Sequence, residues 1–83
     1  MSNVRIVHAL LQGMEESEKV SLLIELTNIN SEALKTALLD HLVKGTPARM
    51  IPIIHDVKQQ NFSRGLKRLN EVYSIVCHLN NIS

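Results

Sequence analysis

The stretch Gly45–Arg68, GTPARMIPIIHDVKQQNFSRGLKR, leaves this chain the fewest folds to choose from. Gly45 suits the left-handed residue that ends a helix, Thr46 can cap the next one, and Pro47 fits its first position, where a missing N–H costs nothing. Met50, Ile51, Ile53 and Ile54 follow, and then His55-Asp56-Val57-Lys58, a short turn anchored by an inward-pointing valine. A second helix begins near Gln59. Two helices joined this tightly form a helix-turn-helix over about residues 46–68. Pro52 lies too deep for a first-turn proline and removes one helical hydrogen bond, so the first helix of the pair is expected to be short, tightened or kinked. Gly65 sits inside the second helix and costs roughly 1 kcal/mol against alanine. A close approach to another helix or to DNA would account for it, and so would a tolerated weak position.

The rest of the chain reads as scaffold. Val4, Val7, Leu10 and Leu11 recur at helical spacing up to Gly13, which predicts a short first helix. A second helix is predicted from about Glu15 to Thr27, with one apolar stripe of Val20, Leu23, Ile24 and Thr27 and another of Leu22, Leu26 and Ile29. Two stripes imply cover on more than one side. Asn28-Ile29-Asn30 breaks the pattern, with Asn30 as a cap and Ile29 placed to staple onto Leu34. The third helix runs from Ser31 to Lys44, its inner face formed by Leu34, Ala37, Leu38 and Leu42, with His41 at the edge. The fourth is the Pro52 helix. The fifth is the longest, from Gln59 to about Leu79 or Asn80, and Phe62, Leu66, Leu69, Tyr73 and Val76 alternate along its core stripe. The predicted fold is therefore all-α: one five-helix domain over residues 1–83, with the helix-turn-helix formed by the fourth and fifth helices.

A chain of 83 residues buries a modest core, and its single Cys77 allows no internal disulfide. Self-association would supply the missing stability. Val72, Ile75 and Leu79 form a second apolar stripe on the fifth helix, and Val4, Val7 and Leu11 lie on the first. Either this stripe meets another chain, making a homodimer or a higher homo-oligomer, or the first helix covers it within the monomer. A lone thiol fits a reducing compartment. No apolar run approaches the roughly 20 residues of a membrane span, and Arg5 and His8 interrupt any secretory segment, so a cytoplasmic, nucleoid-associated protein is expected.

Net charge is only +1, but it is unevenly spread. Residues 1–41 carry three basic against six acidic side chains, and residues 42–83 carry six basic against two acidic. That asymmetry fits a face that meets nucleic acid, or equally a solvated surface of mixed sign. The start of the fifth helix carries the sharper signal. Lys58, Gln59, Gln60, Asn61, Ser63, Arg64, Lys67 and Arg68 occupy the sides that Phe62, Leu66 and Leu69 leave free. Amide side chains bond base edges bidentately, and arginine bonds guanine or phosphate. Arg49 and Thr46 can hold the DNA backbone from the preceding helix. Whether the major or the minor groove is read stays open.

Catalytic chemistry finds no set of residues here. Glu15, Glu16 and Glu18 crowd a helix start, where carboxylates complement the helix dipole. Asp40-His41 and Cys77-His78 are sequence neighbours whose side chains diverge on a helix. The four histidines have no metal-ligand spacing, and no cofactor or small-molecule site is evident.

With those residues in view, the chain resembles the PapB-like regulators of fimbrial adhesin operons, typified by PapB, SfaB and FocB. The resemblance runs from about Arg5 almost to the end and is most specific in ELTNINSE (Glu25–Glu32), LVKG (Leu42–Gly45) and FSRGLKRLN (Phe62–Asn70). It implies an all-helical, self-associating transcription factor that binds AT-rich double-stranded fimbrial regulatory DNA cooperatively. The chain departs from the family in the fourth helix, where the family's basic and polar positions fall on Ala48 and Pro52. That departure keeps a second reading open: a protein–protein adaptor that joins mixed oligomers with a DNA-binding relative.

Overall fold

The computed structural model describes residues 8–82. They form helices and loops only: α1 (Ser17–Glu25), α2 (Glu32–Leu39), a π turn (Asp40–Lys44), a 3-10 turn (Ala48–Met50), α3 (Ile51–Ile54) and α4 (Gln59–Ile82). The all-helical expectation is met, but the five-helix count is not. Residues 8–11 are not helical, and Val4 and Val7 of the predicted first helix lie outside the described residues.

The core forms where α1, α2 and α4 pack together. From α1 the stripe of Val20, Leu23, Ile24 and Thr27 is buried, as its spacing predicts. The other stripe is covered only in part: Ile29 packs against the core, but Leu22 and Leu26 remain 55% and 60% exposed. Ala37, Leu38 and Leu42 enter the core from α2 and the π turn that continues it (together the second segment, residues 32–44), Ile51 from α3, and Phe62, Leu69 and Val72 from α4. Gly65 faces Leu34, and a Cβ built on it would lie 3.1 Å from the leucine side chain. Close approach of α4 to α2 therefore explains that glycine. At the other end of α1, Lys19 bonds Glu15 at 2.8 Å and lies 4.5 Å from the centre of the Tyr73 ring, tying α1 to α4.

Two glycines fix the entry to this core. Gly13 and Gly45 both hold positive φ, at +70° and +88°, and a Cβ on Gly13 would stand 3.0 Å from the Gly45 Cα. The loop that carries Gly13 caps the end of the second segment from outside. The Gly13 and Glu15 N–H groups donate to the His41 and Leu42 carbonyls at 3.1 Å, and the Gln12 amide donates to the Gly45 carbonyl at 2.7 Å. Helix-end carbonyls need such partners. Ahead of this loop the chain lies against α4 without regular structure: His8 exchanges two hydrogen bonds with the Ser74 hydroxyl, and Leu10 N–H donates to the Asn70 side chain. An irregular segment, not a helix, covers that side of α4.

Two caps differ from the sequence expectation. Ser31, not Asn30, caps α2, its hydroxyl accepting from Leu34 N–H at 3.2 Å. Thr46 does not cap the next helix: its hydroxyl donates to Asp40 at 2.6 Å, and Pro47 takes the cap position. The donation turns the hydroxyl toward Asp40, and with Pro47 at the cap position the 3-10 turn has no side-chain cap. Pro52 gives the short, tightened helix expected, but it does not lie too deep for a first turn. The chain tightens into a 3-10 turn over Ala48–Met50, which lets α3 restart at Ile51 with the proline in its first turn.

Candidate nucleic-acid interface

The hairpin is held from behind by a polar brace. Asp40, at the start of the π turn, accepts from the Thr46 hydroxyl through one carboxylate oxygen and from His55 Nε2 at 2.7 Å through the other. His55 follows α3 directly, so this carboxylate joins the second segment to both ends of the first hairpin helix. His41 adds a further tie. Its Nδ1 lies 2.8 Å from the Thr46 carbonyl, which can only accept, so that nitrogen carries the proton. The His41 ring is buried and stands edge-to-face on Phe62 at 5.3 Å between centroids, inside the core and not at its edge. Asp40 and His41 thus do not pair with each other, as their adjacency required.

The Thr46 hydroxyl and then His55 hold the Asp40 carboxyl below the usual carboxylate range. Burial opposes the charge of Glu15, but the Leu11 N–H and Lys19 outweigh it and lower that group as well. A carboxyl depressed on folding stabilises the fold above its unfolded value of about 4 and loses that contribution as pH falls through the folded value. Unfolding should therefore set in below about pH 4. Asp40→Asn keeps the shape but removes the charge and should cost about 1–3 kcal/mol at pH 7. Thermal melts from pH 7 to pH 3 should show a lower starting stability and a shallower acid limb for the variant. An acid limb as steep as that of the native chain would remove Asp40 from this role.

In front of the brace lies the polar face of α4. Lys58, Gln59, Gln60, Asn61, Ser63, Arg64, Lys67 and Arg68 are all exposed. Gln60, Arg64 and Lys67 follow each other by four and three residues, so they share one helical stripe; Asn61, Arg64 and Arg68 form the adjoining one. Arg68 approaches Glu71 at 3.7 Å, whereas Arg49, Lys58, Arg64 and Lys67 make no ion pair within the described residues. These four cations keep their charge for an outside partner. Lys58, Asn61, Arg64 and Arg68 also wall a groove of about 500 Å³ between α4 and the start of α2, floored by Leu34 and Val57. Thr46 departs from the predicted set, because it is half-buried and gives its hydroxyl to Asp40.

The family model for the PapB adhesin biosynthesis transcription regulatory protein matches residues 2–82. The chain belongs to the PapB family. No curated protein and no solved structure gave a significant match. The match spans the brace, the hairpin and the polar face of α4, and the family's stated role is transcription regulation of adhesin biosynthesis.

Sequence reasoning missed the brace in this PapB-family chain. Asp40 and His55 are fifteen residues apart and belong to different elements, so no local spacing relates them. The groove wall was visible as side chains, but its opposite side, at Ile29 and Ser31, was not. Of the predicted self-association residues, Val72 is in the core, while Leu11, Ile75 and Leu79 are 58%, 41% and 58% exposed.

Proposed function

We propose that the chain regulates adhesin operons by binding their DNA through the helix-turn-helix, with α4 as the reading helix and Arg49 and Lys58 on the backbone. The observation that carries this reading is the run of unpaired cations and amides on one exposed face of α4, held rigidly to the core by Phe62 and Leu69. A duplex carries one phosphate charge per about 1.7 Å of axis, and cations with no internal partner meet it at no cost in broken ion pairs. Gln60, Asn61 and Arg64 have the chemistry to bond base edges. AT-rich target DNA and cooperative binding by an oligomer complete the proposal. Leu11, Ile75 and Leu79 are apolar side chains left on the surface, and they supply area for contact between copies.

The adaptor reading has support from a different place. Leu22 and Leu26 are exposed on α1, beside Val76 and Cys77 of α4, away from the cationic stripes. A protein partner seated there would leave the DNA face open, so the two readings compete only if DNA binding is absent.

Binding to an AT-rich adhesin-operon duplex should be measured by fluorescence anisotropy across a salt series. The expected plot of log affinity against log salt is linear, with a slope near −3 to −5 for about four or five neutralised phosphates. Absence of binding at low salt, or affinity independent of salt, would sink the DNA reading and leave the adaptor.

A further inference from the structure

Ile53 has no role in the fold. It is 75% exposed, the highest exposure among the large apolar side chains described, and lies on α3 on the side away from buried Ile51. Arg49 is one helical turn earlier, exposed and without an ion pair. A β-branched aliphatic side chain left in water forgoes roughly 1.5–3 kcal/mol of burial. Self-association of like chains is a poor fit for this corner. Lys44, Arg49, Lys58, Arg64, Lys67 and Arg68 fall within or beside the hairpin against Asp56, while Asp40 and Glu71 are engaged by His55 and Arg68, so a second copy brought here by the same face meets mostly like charge. Ile54, 57% exposed, adjoins Ile53 on α3, whereas the other exposed large apolar residues, Leu11, Met14, Leu22, Leu26, Ile75 and Leu79, belong to the N-terminal segment, α1 with its end, and the far half of α4.

Double-stranded DNA matches both features at once. Its groove edges are lines of phosphate and its floor is apolar in part, offering the C–H edges of bases and thymine methyl groups. We propose that Ile53 is an apolar base-contacting residue of the DNA interface, reaching the groove floor while Arg49, one turn back, holds the phosphate edge. The inference rests on the DNA-binding reading and adds to it a specificity residue on α3, beside the uncharged Ala48 and Pro52. It assigns α3 a reading contact made by shape and not by hydrogen bonds.

Salt dependence separates the two side chains. Losing a phosphate contact lowers the slope by about 0.9, whereas losing an apolar contact leaves it unchanged. Ile53→Ala should weaken binding to an AT-rich duplex about tenfold at every salt concentration, with the native slope, and Ile53→Val should stay within about threefold of the native chain. Arg49→Ala should weaken binding mainly at low salt and flatten the slope by about 0.9. Thermal melts of the three variants should match the native chain, because neither side chain is packed. A duplex with uracil in place of thymine lacks the C5 methyl: a native-chain loss that Ile53→Ala does not share places the contact on the methyl groups of the major groove, and equal losses place it on other base edges. Either result supports the proposal. Native-like affinity for Ile53→Ala would overturn it while leaving DNA binding intact, and no binding by the native chain would instead overturn the reading beneath it. A lower sedimentation coefficient for Ile53→Ala with unchanged DNA affinity would also overturn it, by assigning Ile53 to contact between copies.

Discussion

Phe62→Ala should destabilise the fold by about 3–5 kcal/mol. Phe62 is 1% exposed and sits where α4, the second segment and the hairpin meet. Its removal takes away one of the largest apolar side chains in the core and the face on which the His41 ring rests at 5.3 Å. The second loss reaches the hairpin, because His41 holds the Thr46 carbonyl. A domain of this size has a total stability on the order of 5–10 kcal/mol, so the variant should be close to its unfolding midpoint without denaturant. Urea titration by circular dichroism measures the change. Phe62→Leu, which keeps most of the volume, should recover more than half of it. A loss under about 1 kcal/mol for alanine would mean that the core closes around the gap and that Phe62 does not organise the hairpin.

The parts of this fold that local chemistry decides were legible in the residues. The start of α4 at Gln59 follows from a polar turn ahead of Phe62, Leu66 and Leu69, and the buried stripe of α1 follows from spacing alone. Pro52 predicted a tightened helix because its ring permits few alternatives. The parts that depend on distant partners were not legible. Thr46 was expected to cap a helix, and its local sequence supports that; the Asp40 carboxylate, six residues back around the π turn, takes the hydroxyl instead. The N-terminal residues have helical spacing, yet residues 8–11 are not helical, and Ser74 and Asn70 on α4 supply hydrogen bonds to their backbone. The candidate site shows the same division. Its cations and amides lie in one short stretch and could be read directly, whereas the brace behind them is assembled from side chains that only the fold brings together. Ile53 is the intermediate case: its apolar character was plain, but only burial shows that the core does not use it.

Arg64→Ala should give the largest loss of DNA binding of any single substitution on α4. Arg64 belongs to both exposed stripes and to the wall of the groove, and it has no internal ion pair. Alanine is the better helix former at an exposed position, so helix content and melting temperature should hold or rise slightly. The size of the binding loss depends on what Arg64 touches. A single phosphate contact predicts a salt slope shallower by about 0.9 and a loss felt on every duplex alike. A bidentate bond to a base predicts a loss of about 1–3 kcal/mol on the cognate site and little on random DNA. Arg64→Lys distinguishes them, since lysine restores the charge but not the planar fork. Recovery with lysine assigns the residue to the backbone, and failure to recover assigns it to a base edge. Lys67→Ala, one turn further on the same stripe, should show the phosphate behaviour only. If Arg64→Ala binds the adhesin-operon duplex as well as the native chain at every salt concentration, Arg64 is outside the interface, and the reading face must be moved to the Gln59, Gln60 and Ser63 side of α4.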